Sequence, residues 1–443
     1  MKKPSLIYLV LVVMCFGLVH CESKTNEKVI EVPQGVGEVD DKDQGDSGNR
    51  VRSEKLVNSA EELMSPIGFM VADQILDLAL KADPKNRKAQ FYKHVTTPLM
   101  RFRGILTRIS PLTSVFSKLH RELSLANGAL GEFLRDRSGG EPFRNEEDMQ
   151  KFVAQLEDDY KNLADFISRN KNMITRLSVA HIYDFNKLYR NCSVYKLSKT
   201  SYRIVPCPFM QQIKLRVNRG DWEVFYQMAN GARMAIAAGV SYEGEGLIDL
   251  FKRDQNRELK VPQIQVQAIQ SHARLGRLRS DHHLEVIRER SVETYTGLRW
   301  LVEYQPSLCN RQALRSEHAF DRICLDGPVR VGPAEIRVAN ALDLLRMSIS
   351  GHGGATKAVK PFRGYQADPS SSEKKEDLHV DMLALVKFPV EDLKTLLPTD
   401  FDKCGHPKSV PDASYGGTFP KADGPDFFLR QRDCWEEKFG VNP

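Results

Sequence analysis

Residues 56–91 read LVNSAEELMSPIGFMVADQILDLALKADPKNRKAQF. In the second half of this stretch Ala72, Ile75, Leu76 and Ala79 recur at i, i+3, i+4 and i+7, the spacing that puts side chains on one face of an α-helix. Asp83-Pro84 stops that helix, because a residue before proline is driven out of the α region. Ala89 and Phe91 then open a new apolar pattern. The order predicted is helix, turn, helix, proline stop, helix. The stretch speaks to architecture more than to activity, and no complete catalytic or metal motif stands in the 443 residues.

This order resembles one tetratricopeptide (TPR) unit. Leu56, Ala60 and Leu63 stand in the first-helix slots, where the pattern's Trp and Tyr are both replaced. Ala72, Leu76, Ala79 and Pro84 stand in the second-helix slots at the right spacing. One repeat further on, the slots hold Gln90, His94, Thr97, Leu106, Ser110 and Thr113, which depart from the pattern. The resemblance covers about one repeat, whereas an array needs roughly three or more units to bury its faces. An ordinary helical hairpin with an Asp-Pro stop is the alternative. What the TPR resemblance implies, as analogy of fold, is a hairpin that presents a groove to a protein or peptide.

The N-terminus bears on location. Lys2 and Lys3 precede an apolar run from Leu6 to Val19, a charged region followed by a core too short for an ordinary spanning helix. The run ends in Leu18-Val19-His20-Cys21, which resembles a bacterial lipoprotein signal, with His20 where a small residue is usual. That resemblance implies residues 1–21 as leader, with Cys21 acylated. Glu22 follows the cysteine, where an Asp would imply retention at the inner membrane, so the implied destination is the outer membrane. The alternative is an ordinary secretory leader and a secreted or periplasmic product.

The chain has eight cysteines. Cys15 leaves with the leader and Cys21 is spent on lipid. Cys192, Cys207, Cys309, Cys324, Cys404 and Cys434 remain, an even set in an exported chain, which suggests disulfides. The first two neighbour pairs have the same separation and the last closes the C-terminal segment, so neighbour pairing is preferred, although spacing does not determine connectivity. No pair has the close CxxC spacing of a structural zinc site. Asn191-Cys192-Ser193 fits the glycosylation sequon, but the bacterial-type leader argues against its use.

Residues 22–55 lack aromatic residues and are dense in Asp, Glu, Gly and Lys, so they are expected to form a disordered tether. Residues 56–135 form the TPR-like region and residues 136–350 a helical body. In the body, Asn145 is expected to cap a helix with Glu146, Glu147 and Asp148 in its first turn and a stripe through Phe152, Leu156, Tyr160, Leu163 and Ile167. Breaks are expected at Thr97-Pro98 and Ser110-Pro111. Residues 174–188 read as a further helix, and residues 192–207 as a short hairpin. Asp221 is read as the cap of a helix to Val240 with Trp222, Phe225, Met228, Ala232, Ala235 and Ile236 inward. Residues 262–275 are helix or strand, with Ile264, Val266 and Ala268 alternating with glutamines in favour of a strand at the start. Asp281 caps a helix to Tyr304, with Leu284, Ile287, Val292, Tyr295 and Leu298 inward. Gly332-Pro333 opens a last long helix closed by Gly351. Residues 351–378 read as a surface loop, and residues 379–443 as an irregular disulfide-tied cap with one helical piece, Val390 to Leu397. The fold class expected is mainly α.

Three small constellations carry possible chemistry. Asp281-His282-His283 with His272 and Glu285 is the best metal candidate, but adjacent histidines point to different sides of a helix, so no metal is assigned. His352-Gly353-Gly354 resembles an oxyanion loop of esterases, without the G-x-S-x-G elbow that accompanies it. Basic residues cluster as Arg87, Lys88, Lys93, Arg101, Arg103 and Arg108, and as Arg274, Arg277, Arg279, Arg288 and Arg290. Such runs can bind anions; the reading adopted is solvated helix faces, and export argues against nucleic acid.

The function expected is a non-catalytic cell-envelope lipoprotein, a protein-interaction or scaffold module with an unknown protein or peptide as partner, membrane contact through its lipid and no cofactor. A carrier or pore component with an apolar cavity is the alternative, and a hydrolase with an unrecognised site is the third reading. A non-reducing peptide map is expected to show Cys192–Cys207, Cys309–Cys324 and Cys404–Cys434; free thiols at these positions, or other pairs, would overturn the assignment.

Overall fold

The structure, a computed structural model, describes residues 28–31, 46–64, 68–110, 128–182, 193–196, 201–205, 210–255, 262–304, 328–331, 334–337, 346, 349, 354–357, 377–381, 383–401, 407–409, 411–412 and 414–418. Helix is the main structure among them. The chain divides into two compact units. The first comprises Met1–Arg144, Gln155–Ala232 and Glu303–Cys324; the second comprises Asn145–Ala154, Arg233–Val302 and Leu325–Pro443.

In the first unit, helices α1 (Asp46–Leu63), α2 (Phe69–Ala82) and α3 (Arg87–Met100) follow one another. The expected stripe is buried along its length: Leu56, Ala60, Leu63, Ala72, Ile75, Leu76 and Ala79. Asp83 ends α2 with φ −140° and ψ 96°, the extended conformation a following proline enforces. Asn86 opens α3, its side chain accepting from the N–H groups of Lys88 and Ala89.

Two expectations fail here. Helix α1 begins at Asp46, inside the segment read as tether, and Lys28–Glu31 forms a strand, β1. Composition misses this because the buried face continues through a polar residue. Ser53 stands three residues before Leu56 and is fully buried, its Oγ donating to the Ala79 carbonyl at 2.9 Å and accepting from Asn86 Nδ2 at 3.0 Å. Nor does Thr97-Pro98 break α3, which runs through Pro98 to Met100. Pro98 removes the one N–H that would reach the His94 carbonyl, and only Leu99 and Met100 follow it in the helix. Thr97 Oγ1 also donates to the Lys93 carbonyl at 2.8 Å.

Short helices α4 (Ile105–Arg108) and α5 (Gly128–Arg135) follow. Gly104, at φ +69°, lies so close to residues 136–139 that a Cβ there would sit 2.1 Å from the Asp136 carbonyl oxygen. The ring of Phe69 meets that of Phe133 edge-on at 4.6 Å.

Helix α6 (Glu146–Asn170) is capped as expected, Asn145 Oδ1 accepting from the Asp148 N–H at 3.0 Å, and Phe152, Leu156, Tyr160, Leu163 and Ile167 are buried. After it the expected helix is absent. Thr175–Ile182 is a strand, β2, paired antiparallel over its whole length with Met210–Val217, β5. Local periodicity misreads it because the partner is supplied from elsewhere in the chain, and strand formation depends on that partner. The hairpin read at residues 192–207 is present: Ser193–Lys196 (β3) pairs with Ser201–Val205 (β4), and β1 joins β4 on its other side.

Helix α7 (Arg219–Val240) buries Trp222 and Phe225, while Met228 is exposed. Its cap is Asn218 rather than Asp221. Asn218 Oδ1 accepts from the N–H groups of Gly220 and Asp221, and the Asp221 carboxylate accepts in return from the Asn218 N–H at 2.8 Å. That reciprocal pair is a capping box with Asp in place of Glu.

In the second unit, Leu247–Gln255 (α8) and Pro262–Ser271 (α9) join in a small core of Leu250, Ala268 and Leu275. Residues 262–271 are thus helix, with Pro262 at the first position where its missing N–H costs nothing; the alternation with glutamines does not make a strand. Asp281–Tyr304 (α10) ends where the sequence puts it, but Asp281 is its first residue and the cap is Ser280, whose Oγ accepts from the His282 N–H at 3.1 Å; Leu284 is buried and Val292 exposed. The expected last long helix is replaced at its start by a hairpin, Pro328–Val331 (β6) with Ala334–Arg337 (β7), Gly332-Pro333 standing between the strands. Gly-Pro is a turn signal as well as a helix opener, and Ala334–Arg337 after it is strand. Gly354–Lys357 (β8) pairs with Asp377–Val380 (β9), so the segment read as a surface loop holds one strand and the start of a second. Beyond it lie a short helix, Ala384–Lys387 (α11), a 3-10 turn, Leu393–Leu396, within the helical piece expected at 390–397, and the strand pair Asp400–Phe401 with Pro407–Ser409.

Ala79 has no exposed surface and its carbonyl holds Ser53. Ala79→Arg is expected to lower stability by about 2–4 kcal/mol through overpacking and burial of an unpaired charge. Chemical denaturation measures it; an unchanged midpoint would mean that this face is not a core.

Candidate functional site

A polar constellation among the described residues of the first unit lies where α1 and α3 meet β2. Glu61 and Tyr92 are both buried. The Tyr92 hydroxyl donates to Glu61 Oε1 at 2.5 Å, and the Ser178 N–H reaches Tyr92 Oη at 2.7 Å and Glu61 Oε1 at 3.2 Å. Lys88 Nζ donates to Glu61 Oε2 at 2.7 Å. The two side chains thus occupy the backbone of Ser178 as a neighbouring strand would, which caps that edge of β2. Burial, and then the adjacent Glu61 carboxylate, push the Tyr92 phenol well above its usual value. A phenol so held keeps its proton at neutral pH and is suited to fixing Glu61 and Ser178 in place.

The neighbouring groups are spent similarly. Thr96 Oγ1 and Lys93 Nζ both donate to Asp73 Oδ1, at 2.5 and 2.9 Å, and Lys93 also meets Asp77 at 2.6 Å. Arg101 grips Asp159 through Nε and Nη2 at 2.6 and 3.1 Å, which raises its own pKa. Arg103 pairs with Asp136 at 2.5 Å, and Arg108 lies over the Phe143 ring at 4.4 Å. In the second unit Arg274 pairs with Glu243 at 2.8 Å and Glu245 at 3.3 Å, Arg288 with Glu285 at 3.1 Å, and Arg290 with Glu293 at 2.6 Å. Arg277 and Arg279 stand at 3.9 Å from Asp392 and Glu243. Lys88, Lys93, Arg101, Arg103, Arg274, Arg277, Arg279, Arg288 and Arg290 are ion-paired. They are stitches between elements, and neither run is a free cationic face.

The histidine constellation does not assemble into a metal site. His272 faces Asp249, Nε2 to Oδ2 3.4 Å, and packs so tightly on Gly246 that a Cβ there would lie 2.3 Å from its ring. His282 and His283 stand side by side, ring centroids 5.5 Å apart. Among the described residues no group of three or more His, Cys, Asp or Glu could hold a metal ion. Cys21, Cys192, Cys207, Cys309, Cys324, Cys404 and Cys434 lie outside the described residues, as do His352 and Gly353; Gly354 begins β8.

A further polar line escapes motif reading. Glu223, Gln227 and Asn230 follow at i, i+4 and i+7 on α7 and all are buried. Glu223 takes Lys171 Nζ at 2.8 Å and Gln227 Nε2 at 2.5 Å, and the Lys171 ammonium also lies 4.0 Å over the Tyr226 ring. Among the described residues, Gln227 Oε1 and both polar atoms of Asn230 have no hydrogen-bond partner. The spacing was visible in sequence, but polar residues at helical spacing ordinarily signal the solvated side.

Removing the Tyr92 hydroxyl takes a donor from buried Glu61 and an acceptor from buried Ser178. Tyr92→Phe is therefore expected to cost about 1–3 kcal/mol while preserving helicity. Denaturant unfolding followed by circular dichroism checks both parts, and a midpoint equal to that of the parent would rule out a structural role for the node. Compared with family models, with curated proteins and with solved structures, the chain gives no match.

Proposed function

We propose that the chain is a non-catalytic scaffold or protein-interaction module of the bacterial cell envelope, held at the outer membrane by acylation of Cys21. What carries the non-catalytic reading is how the three-helix region spends its buried polar side chains. Ser53 joins α1 to α2, Glu61 joins α1 to α3 and β2, and Asp73 with Thr96 joins α2 to α3. Acid, hydroxyl and phenol groups used in this way serve rigidity. A general acid or base needs a proton it can exchange near the working pH, and Tyr92 is held far from that condition. The helix–turn–helix–proline order of residues 56–91, similar to a TPR unit, supports a partner of protein or peptide nature. The leader-like residues 1–21 support export.

Mass spectrometry of the native N-terminus tests the anchor. The expected result is a mature chain that begins at an acylated Cys21 and is found with the membrane fraction, and a Cys21→Ser chain that is not acylated. An unmodified terminus at another residue would sink the lipoprotein reading.

A further inference from the structure

Strand β1 (Lys28–Glu31) pairs antiparallel with β4, Lys28 opposite Ile204 and Glu31 opposite Ser201, and so takes one edge of the β1–β4–β3 sheet. That sheet is joined to helices at both edges: β1 lies beside α1, and β3 beside α5. All of these elements belong to the first unit. Only residues 32–45 separate β1 from α1, a short link that keeps β1 at high effective concentration beside its partner strand. Lys28 stands seven positions after Cys21. Each position adds at most about 3.3–3.6 Å of reach, so the seven span at most about 25 Å however the intervening residues are disposed. Were β1 unpaired, the first residue fixed to the unit would be Asp46, twenty-five positions after Cys21. The same geometry would then allow about 85 Å.

We propose that β1 is a clamp that holds the first unit down at the membrane, with the β1–β4–β3 sheet starting within about 25 Å of the headgroups. The inference rests on acylation of Cys21, which sets that residue at headgroup level, and it goes beyond the anchor. An anchor alone permits any height the chain can span; the paired strand decides which height is used. A strand added to a sheet edge is held by main-chain hydrogen bonds, so the clamp depends on backbone register more than on particular side chains. The register also gives it a direction. Lys28, the residue of β1 nearest Cys21, stands opposite Ile204, so the Lys28–Ile204 end of the sheet is the one tied closest to the bilayer. The class of partner follows from the height. A unit held low meets proteins embedded in the same membrane or lying on it, whereas a chain free to extend about 85 Å would reach structures well beyond it.

Two measurements test it. Hydrogen exchange on the full chain carrying Cys21→Ser reads the strand pairing without the lipid. Protected amides are expected within residues 28–31, and the protection is expected to vanish in a variant carrying Val29→Pro and Ile30→Pro. Neighbouring N–H groups of a strand point to opposite sides, so one of the two faces β4, and proline there cannot donate to the ladder. Neutron reflectometry on the acylated chain, bound to a supported bilayer of phosphatidylcholine with phosphatidylglycerol, reads the height. The parent is expected to form a layer in contact with the headgroups. A Gly/Ser insertion of about twenty residues between Asn26 and Glu27 is expected to lift that layer while the amides of residues 28–31 stay protected. The double proline variant is expected to lift it too, with helix content like that of the parent; the insertion serves as the test should that variant misfold. Amides of residues 28–31 that exchange as fast as those of an unstructured peptide would overturn the clamp. So would a parent layer standing as far from the bilayer as that of the insertion variant. Mass spectrometry of the same sample reports acylation. An acylated parent that stands off the bilayer sinks the clamp and spares the anchor. A parent without an acyl group sinks the membrane placement together with the anchor, and the exchange result then speaks for the strand pairing alone.

Discussion

The edge of β2 must be closed, and much of the first unit's polar chemistry follows from that requirement. A strand that leaves backbone N–H and C=O groups inside a protein without partners forfeits the full cost of their desolvation. Here Ser178 is buried and its N–H points at Glu61 and Tyr92. Glu61 in turn is a buried carboxylate and needs compensation, which Lys88 and the Tyr92 hydroxyl supply. A single unpaired backbone group thus accounts for a buried acid, a buried phenol and a half-buried ammonium on two helices.

The same logic explains why basic residues on the helices are poor guides to binding. Arg101 and Arg103 lie close in sequence, yet they reach Asp159 in α6 and Asp136 just after α5. Each cation satisfies a partner that packing has placed there. The distribution of charge that matters is the one left after internal pairing.

The helical core was legible because its signal is local. Ala72, Ile75, Leu76 and Ala79 announce their face by spacing, Asp83 its stop by the proline after it, and Asn145 its cap by the acids that follow. The strands were hidden because their determinants are distant. Thr175–Ile182 has as its partner Met210–Val217, with the β3–β4 hairpin between them in the chain. Ser53 was hidden for another reason: it is polar, and only the carbonyl of Ala79 makes its burial sensible.

The hydrogen bond between Glu61 and the Ser178 N–H spans 117 positions of the chain, while Ser53 to the Ala79 carbonyl spans 26. Closing the longer loop costs more entropy and must await the later segment, so pairings of this range slow a fold. In a chain that emerges from its N-terminus, α1 to α3 can associate first, with the Glu61 carboxylate still in water. Arrival of β2 then drains that water and locks the acid between phenol and lysine. The node thereby acts as a late latch, which makes it a determinant of how long the folded chain persists more than of how quickly it first collapses.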